Sequence, residues 1–295
     1  MSTYSKITII YNPVSTGSSE ELARKLLDQI KTTMPELSVE LIGTEYASHA
    51  EELAYAAAMA TEHPLIVASS GDGGYHEVVN GLMKARGEGS QATAGLVPAG
   101  NANDHYHHMH DQDIIERIKN HQESTIDLLK FEGQIKGKTV VRYAHSYIGM
   151  GLTPQVGAEL NKTDLNVFKE VAIVGKALLN NQAVKLRIKG RLRRYDSVIC
   201  SNISKMSKVL RIADEAHPND GRFELTLFRQ RNRLKLISRL LRTATTGLRG
   251  KRRRTEFMFE TVEPTLIQLD GEIMELDAQE RYRIRIAPDH LQCIV

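Results

Sequence analysis

The sequence contains no tryptophan and only two cysteines, Cys200 and Cys293, in 295 residues. Two isolated cysteines exclude a disulfide scaffold and are typical of a protein from a reducing compartment. No apolar run approaches the roughly 20 residues that a membrane-spanning helix requires. The first residues are polar and precede a strand-like run, without the basic and apolar pattern of a secretory leader. We therefore expect a cytoplasmic protein that does not cross a membrane.

Length and charge together predict two domains. Domains usually contain about 100–200 residues, so this chain is longer than one domain requires. The hydrophobic fraction of 41% and the charged fraction of 25% exclude disordered and collagen-like classes. Residues 1–130 contain 9 basic and 18 acidic residues, whereas residues 131–295 contain 30 basic and 18 acidic residues. The small net charge of +3 therefore hides an asymmetry that favours a boundary near residue 130 and an anionic partner for the second half.

The first half alternates strand-like and helix-like segments. Short apolar runs that end in turn residues predict strands at residues 7–11, 39–41, 65–68 and 94–97. Apolar or alanine-rich segments between them predict helices that begin near Ser18, Ala47 and Tyr75. This alternation is typical of a parallel α/β sheet, which binds its ligands at the carboxyl ends of the strands.

Three of the predicted strand ends carry polar loops that contain glycine: residues 12–17, 69–74 and 98–104. Glycine at a strand-to-helix turn lets backbone N–H groups converge, and the following helix adds a partial positive charge, so such turns favour phosphate binding. Neither GxxxxGK[ST] nor a GxGxxG after the first strand is present. Plain tight turns are the alternative interpretation, but three such strand ends favour a phosphate site.

Six motifs occur in order along nearly the whole chain: Asn12-Pro13-Val14-Ser15, Gly71-Asp72-Gly73 with Glu77-Val78-Val79-Asn80-Gly81, Pro98-x-Gly100-x-x-Asn103-Asp104, Tyr147-Ile148-Gly149-Met150-Gly151, Pro218-Asn219-Asp220-Gly221 and Leu269-Asp270-Gly271-Glu272. Together they resemble the diacylglycerol kinase catalytic-domain family, the soluble lipid kinases that include sphingosine and ceramide kinases. The resemblance implies an N-terminal α/β nucleotide domain like that of NAD kinases, at residues 1–129, and a C-terminal β-sandwich domain at residues 130–295. Short strand-like runs after residue 130 independently support the second domain.

The resemblance also implies ATP and Mg²⁺ as cofactors and assigns residues to them. The predicted nucleotide-binding residues are Asn12, Thr44, Gly71, Asp72, Gly73, Gly74, Tyr75, His76, Glu77 and Asn101. Asp72 is predicted to hold the magnesium of the nucleotide, because Mg²⁺ prefers carboxylate and phosphate oxygens. A second, structural magnesium is assigned to Asp220 and the backbone carbonyls at His217 and Arg222.

Two acidic residues near the end of the chain are the predicted catalytic groups. By resemblance, Glu272 is the general base that takes the proton of a lipid hydroxyl, and Asp270 belongs to the metal and water network around it. The alternative from the residues alone is an ordinary hairpin turn at Asp270-Gly271, and Asp220-Gly221 is open to the same interpretation. The expected reaction is transfer of the γ-phosphate of ATP to a lipid hydroxyl, with diacylglycerol as acceptor.

Three residues depart from the family pattern. Ser70 stands where the family has its first glycine of the second loop, and Gly74 and Asn101 stand where it has threonines. Because those hydroxyls usually lie near the nucleotide, a non-catalytic or altered nucleotide-binding protein on the same fold is the alternative function. An NAD kinase-like enzyme would share the Gly-Asp-Gly loop but not the ending Asp270-Gly271-Glu272.

Two further clusters lie outside these motifs. The histidines at positions 105, 107, 108 and 110 follow the third loop, and a histidine-rich surface loop is favoured over a metal site because no ligand spacing completes one. Residues 229–254 contain 11 basic residues and no acid, with leucines at helical spacing. This segment predicts peripheral contact with an anionic membrane that presents the lipid substrate. We expect no nucleic-acid partner, because the segment lacks aromatic residues, and allow for a homodimer.

Overall fold

The computed structural model describes residues 4–15, 17–100, 103–109, 113–154, 183–206, 210–211, 217–229 and 252–294. The chain forms two compact units, the first containing residues 1–126 and 289–295 and the second residues 127–288. The sequence-based boundary lies between residues 129 and 130 and keeps the end of the chain in the second domain. The structure instead returns the last residues to the first unit, because Cys293 pairs with Ala94 on a parallel strand and Gln292 donates to Glu123.

The first unit has the alternating order that the sequence predicts. Its elements are β1 (Lys6–Tyr11), α1 (Ser19–Thr33), β2 (Val39–Gly43), α2 (His49–Ala60), β3 (Pro64–Ser70), α3 (Asp72–Gly87), β4 (Thr93–Pro98), α4 (Asp104–Met109) and α5 (Ile114–Asn120). The sheet has the order β2-β1-β3-β4, and all of these strand pairs are parallel. The order reverses direction between β1 and β3, which is where open α/β sheets bind their ligands.

Burial explains the layers of this unit. Every residue of β3 is buried, as expected for a central parallel strand covered on both faces. Helix α1 buries Ala23, Leu26 and Ile30, a stripe at helical spacing, in one core cluster with side chains of β1 and β3. Helix α2 buries only alanines, and a Cβ on Gly81 of α3 would lie 2.3 Å from the Glu51 carbonyl oxygen. Small residues therefore allow α2 and α3 to pack closely.

The second unit is built from strands. They are β5 (Glu123–Ile135), which begins in the first unit, β6 (Lys138–Ala144), β7 (Tyr147–Gly151), β8 (Val184–Ile188), β9 (Arg191–Ser201), β10 (Lys205–Met206), β11 (Leu210–Arg211), β12 (Phe223–Arg229), β13 (Arg252–Arg254), β14 (Glu256–Thr261), β15 (Thr265–Leu269), β16 (Glu272–Leu276) and β17 (Arg281–Ile294).

Strand β9 joins two sets of strands in the second unit. Its first half pairs with β8, from which the order continues through β14 and β17 to β5 and β6. Its second half lies between β7 and β12, and β7 continues through β15 to β16. Side chains from both sets, including Phe131, Tyr195 and Ile267, form one buried core cluster. The predicted fold class, an α/β unit followed by a β-rich unit of packed strands, is confirmed. Within the described residues, no helix is long and apolar enough to span a membrane.

Candidate functional site

The four parallel strands of the first unit end level with one another. Tyr11 pairs with Gly43 and with Ser69, and Ser70 pairs with Pro98. Because parallel strands share one carboxyl edge, the first loop (residues 12–17), the second loop (residues 69–74) and the third loop (residues 98–104) all leave the sheet at this edge. The three glycine-containing loops that the sequence singled out are therefore brought together.

Glycines allow these loops to touch backbone to backbone. A Cβ on Gly17 would lie 2.0 Å from the carbonyl oxygen of Ala99. A Cβ on Gly100 would lie 2.4 Å from the Cα of Gly71. No side chain fits at such distances, so the contact between the loops requires glycine at these positions. The three loops therefore approach one another closely at this edge of the sheet.

Asp72 connects the second and third loops. Its carboxylate accepts hydrogen bonds from the backbone N–H groups of Asp104 (3.1 Å) and His105 (3.2 Å), at the start of α4. Asn103 closes the third loop on itself, because its amide donates to the Gly100 carbonyl and its Oδ1 accepts from the Gly100 N–H. A magnesium ion bound as predicted would share the Asp72 carboxylate with these two hydrogen bonds.

The first loop is attached to β3 through a residue that the sequence interpretation missed. The Ser19 hydroxyl accepts from the Asn12 N–H at 3.1 Å and donates to the Ser69 carbonyl, while the Ser69 hydroxyl donates to the Ser19 carbonyl. The Asn12 side chain accepts from the Val14 N–H and so shapes its own loop. Thr44, directly after β2, is half-buried and donates its N–H to Tyr11. Asn12 and Thr44 thus lie at the same edge of the sheet.

Two departures from the family pattern are physically linked. A Cβ on Gly74 would lie 2.7 Å from the Cβ of Ser70 and 2.9 Å from its hydroxyl oxygen. Ser70 is 7% exposed and its hydroxyl lies 3.1 Å from the Gly71 carbonyl oxygen, to which it donates. A side chain at one position therefore excludes a side chain at the other. The Ser70 hydroxyl therefore lies beside the first turn of α3, in the space that a side chain at position 74 would need.

The remaining predicted residues of α3 differ in burial and in their partners. Tyr75 and His76 are buried, with the Tyr75 ring centroid 5.2 Å from that of His105. Glu77 accepts from the Ser48 and Ala50 N–H groups, both at 3.2 Å, and so caps the start of α2. It thereby positions the β2–α2 connection, and its predicted contact with the nucleotide stays a prediction. Gly73 is open, with nothing within 4 Å of a Cβ placed there.

In the second unit, Asp270 is 1% exposed and is held by backbone N–H groups. Its carboxylate accepts from His145 (2.6 Å), Ser146 (3.1 Å) and Tyr147 (2.8 Å). Asp270 itself has φ +47° and Gly271 has φ +110°, so the pair forms a tight left-handed turn between β15 and β16. The hairpin interpretation and the acidic motif therefore describe the same turn. The Asp270 carboxylate holds the segment before β7 in place.

Glu272 follows this turn directly and is the first residue of β16. Its side chain is 37% exposed, and its Oε1 lies 3.9 Å from the Arg142 Nε. In contrast to Asp270, the carboxylate of Glu272 reaches solvent. The side chain is therefore accessible from solvent, and its role as the general base stays a prediction.

The predicted structural metal residues lie in a turn before β12. Asp220 accepts from the Arg222 N–H at 3.0 Å and forms an ion pair with Arg253, and Gly221 has φ +68°. His217 and Arg222 are exposed. Within the described residues, no group of three or more His, Cys, Asp or Glu side chains is placed to hold a metal ion. The metal assignment stays a prediction.

Asp127 and Asn202 connect the two acidic turns, although neither was predicted. The Asp127 carboxylate accepts from the Gly221 N–H at 2.6 Å, and the Asn202 amide donates to the Asp127 carbonyl at 2.8 Å. The Asn202 N–H donates to the Ser146 carbonyl beside the Asp270 anchor. A carboxylate inside the apolar run of residues 126–129 was the sequence signal for Asp127, which is 1% exposed.

A family model for the diacylglycerol kinase catalytic domain matches residues 6–131. The match covers less than half of the chain and lies in its N-terminal part. The match contains the three loops and Asp127, and it confirms the resemblance. A curated diacylglycerol kinase of Bacillus subtilis (strain 168) is 28% identical over 257 residues, covering 82% of this chain and 78% of the relative. The similarity to this family supports a kinase.

Solved structures support the fold over the whole chain. A diacylglycerol kinase from Bacillus anthracis str. Sterne superposes with a TM-score of 0.71 at 16% identity, covering 100% of this chain and 98% of the other. Yeast NADH kinase, complexed with NADH, superposes with a TM-score of 0.53 at 12% identity, covering 100% of this chain and 84% of the other. At these identities the likeness concerns the fold alone, and it confirms the predicted fold class.

Some predictions fall outside the described residues. Asn101, His110 and residues 230–251 of the basic segment lie there, whereas Arg252–Arg254 form β13. Of the other clustered histidines, His105 is buried and His107 is exposed. The lipid, membrane and homodimer expectations stay predictions.

Proposed function

We propose that the protein is an ATP- and Mg²⁺-dependent lipid kinase that transfers the γ-phosphate of ATP to the hydroxyl of diacylglycerol, giving phosphatidic acid. The observation that carries the proposal is the glycine-lined convergence of the three loops at the edge of the α/β sheet. Backbone N–H groups there, and the amino end of the 16-residue helix α3, suit the phosphates of a nucleotide. The family match over this same segment favours a kinase over other phosphate-binding proteins.

The residues present fit a magnesium nucleotide. Mg²⁺ is usually bound by one or two carboxylates together with substrate phosphates, rather than by an all-protein cage. Asp72 supplies one carboxylate at the start of α3, already oriented by its two bonds to α4. When bound, the ion would neutralise negative charge on the phosphate oxygens. The structural magnesium is proposed at Asp220 with the carbonyls of His217 and Arg222.

Glu272 is the proposed general base. It takes the proton of the acceptor hydroxyl as that oxygen forms a bond to the γ-phosphorus, while the bond from the γ-phosphorus to the β–γ bridging oxygen breaks and ADP leaves. Asp270 is the proposed positioning residue, because its carboxylate is occupied by three backbone N–H groups that hold the turn preceding Glu272.

Radiolabelled ATP offered with a panel of acceptors tests the proposal. The panel contains diacylglycerol, sphingosine, ceramide and NAD, and label is counted in each separated product. We expect label in phosphatidic acid, reduced about 10²- to 10⁴-fold by Glu272→Gln. The matched control is Glu275→Gln, an exposed carboxylate on the same strand, which should leave the rate within about 2-fold.

The alternative is a nucleotide-binding protein without kinase activity, which Ser70 and Gly74 favoured at the level of sequence. ATP binding without label in any acceptor would establish that alternative and overturn the proposal. Label in NAD alone would instead indicate an NAD kinase.

A further inference from the structure

The hairpin formed by β8 and β9 ends in an unusual surface. Its turn is Lys189-Gly190, with φ values of +49° and +73°, the left-handed pair that a tight two-residue hairpin turn requires. Ile188 pairs with Arg191, and Arg187 pairs with Leu192. The tip of the hairpin, residues 189–194, has the sequence Lys-Gly-Arg-Leu-Arg-Arg, and all six residues are exposed. We call these residues the hairpin tip.

Cations at the hairpin tip lack the partners that neighbouring cations have. Lys185 pairs with Glu263 at 2.8 Å, and Arg187 pairs with Glu260. On strand β17, Arg283 pairs with Glu256 and Arg285 with Glu132. Within the described residues, no ion pair involves the four cations of the hairpin tip: Lys189, Arg191, Arg193 and Arg194.

Two more features of the hairpin tip are unfavourable in an isolated protein. Lys185 lies directly opposite Arg194 in the strand register, and like charges in that position destabilise a sheet. Leu192 is 51% exposed between arginines on both sides. An anionic surface would relieve the charge repulsion and could cover the leucine.

We propose that the hairpin tip docks on the surface of an anionic phospholipid bilayer, with the four cations facing lipid phosphates and Leu192 inserted among them. The occupant follows from charge complementarity and from the single apolar side chain at the centre of the cations. Nucleic acid would satisfy the charge, but residues 184–194 contain no aromatic side chain on which bases could stack. The choice of a bilayer also rests on the proposed function, whose acceptor is a lipid. The hairpin tip is a different stretch of the sequence from the basic segment 229–254 considered above.

Vesicle sedimentation of the full chain tests the docking surface. The vesicles are phosphatidylcholine alone, or phosphatidylcholine with phosphatidylglycerol, at about 0.1 M salt, where the Debye length is about 10 Å. We expect binding to the anionic vesicles, weakened at least about 10-fold by the triple charge reversal R191E/R193E/R194E. The matched control K25E/K31E/K138E reverses three exposed cations elsewhere and changes the net charge equally. It should weaken binding less than about 3-fold.

A second pair of variants separates the leucine from the charges. Leu192→Ser should weaken binding several-fold, whereas Leu266→Ser, at a residue 48% exposed on β15, should not. Equal loss in both triple variants, or unchanged binding by R191E/R193E/R194E, would overturn the proposal. Tighter binding to a DNA duplex than to anionic vesicles, lost in the same triple variant, would overturn it in favour of nucleic acid. Thermal unfolding of each variant checks that it is folded.

The kinase assay distinguishes this inference from the proposed function. With diacylglycerol in vesicles, R191E/R193E/R194E should lose most of the rate, and with a short-chain acceptor dissolved as monomers it should match the unaltered chain. Vesicle binding without phosphorylation of either acceptor would overturn the kinase and leave the docking surface supported.

Discussion

Loop backbone is held in place differently in the two units, at the loop edge of the first and at the acidic turns of the second. At the loop edge, Gly17 and Gly100 have no side chains, so backbones approach to distances that no Cβ could enter. At the acidic turns, the buried carboxylates of Asp270 and Asp127 accept backbone N–H groups that no strand partner satisfies. The loop edge therefore depends on the absence of side chains. The acidic turns depend on buried carboxylates, whose removal would leave N–H groups without an acceptor.

This difference changes what an acidic motif residue indicates. Asp270 and Glu272 are two residues apart, yet one carboxylate is 1% exposed and bound to three N–H groups, while the other side chain is 37% exposed. The buried residue is suited to positioning and the exposed one to chemistry. We therefore expect substitution of Asp270 to lower stability and substitution of Glu272 to lower activity, although both residues belong to one sequence motif.

The largest expected effect comes from Asp270→Ala, which leaves three backbone N–H donors, two of them buried, without their carboxylate. We expect the free energy of unfolding of the full chain to fall by more than about 3 kcal/mol, measured by chemical denaturation. Glu272→Gln serves as the matched variant and should change it by less than about 0.5 kcal/mol. Similar losses in both variants would contradict the division between a positioning and a chemical carboxylate.

At the loop edge, Gly100→Ala should cost about 2 kcal/mol of unfolding free energy, because its Cβ would lie 2.4 Å from the Gly71 Cα. The stabilisation that added ATP confers on thermal unfolding should fall with it. The control is Gly73→Ala, where nothing lies within 4 Å of the new Cβ and the helix gains about 0.5–1 kcal/mol. A neutral Gly100→Ala would mean that the loops do not touch as described.

A double-mutant cycle at Ser70 and Gly74 tests whether the two departures from the family pattern are one change. Gly74→Thr alone should cost about 1–3 kcal/mol, because the new side chain meets Ser70. Adding Ser70→Gly should recover most of that loss, with a coupling energy of about 1 kcal/mol or more. Additive effects of the two substitutions in denaturation experiments would show that the residues are independent.

The smallest effect concerns the two thiols, one in each unit. Burial raises the pKa of the Cys200 thiol, and burial with the nearby charge of Glu123 raises the pKa of Cys293 to about 12. Both thiols are therefore protonated and protected in the folded protein at pH 8, and labelling reports opening of the surrounding structure. Peptide mass spectrometry should find Cys293 labelled sooner in Gly100→Ala, and Cys200 sooner in Asp270→Ala. Simultaneous labelling in both variants would show that the units open together.

The sequence was informative where one residue type has one physical use. The glycine-containing loops after short apolar strands predicted the edge at which those loops meet, because parallel strands end on one side of a sheet. It was less informative where a side chain has several uses. The sequence did not indicate that the Glu77 carboxylate caps α2, and the residues Asp127 and Asn202 that connect the acidic turns were missed. Their partners lie about 50 to 100 positions away, and hydrogen bonds over such separations leave no local pattern.

The sequence by itself determined the order of the elements, the α/β and β-rich division and the resemblance to a family, because periodicity, turn residues and ordered motifs are local properties of the chain. Only the tertiary structure decided which carboxylate is committed to backbone N–H groups, which glycines meet another backbone, and that residues 289–295 belong with the first unit. The physical reason is that hydrogen-bond partners, desolvation and close contact depend on distance in space.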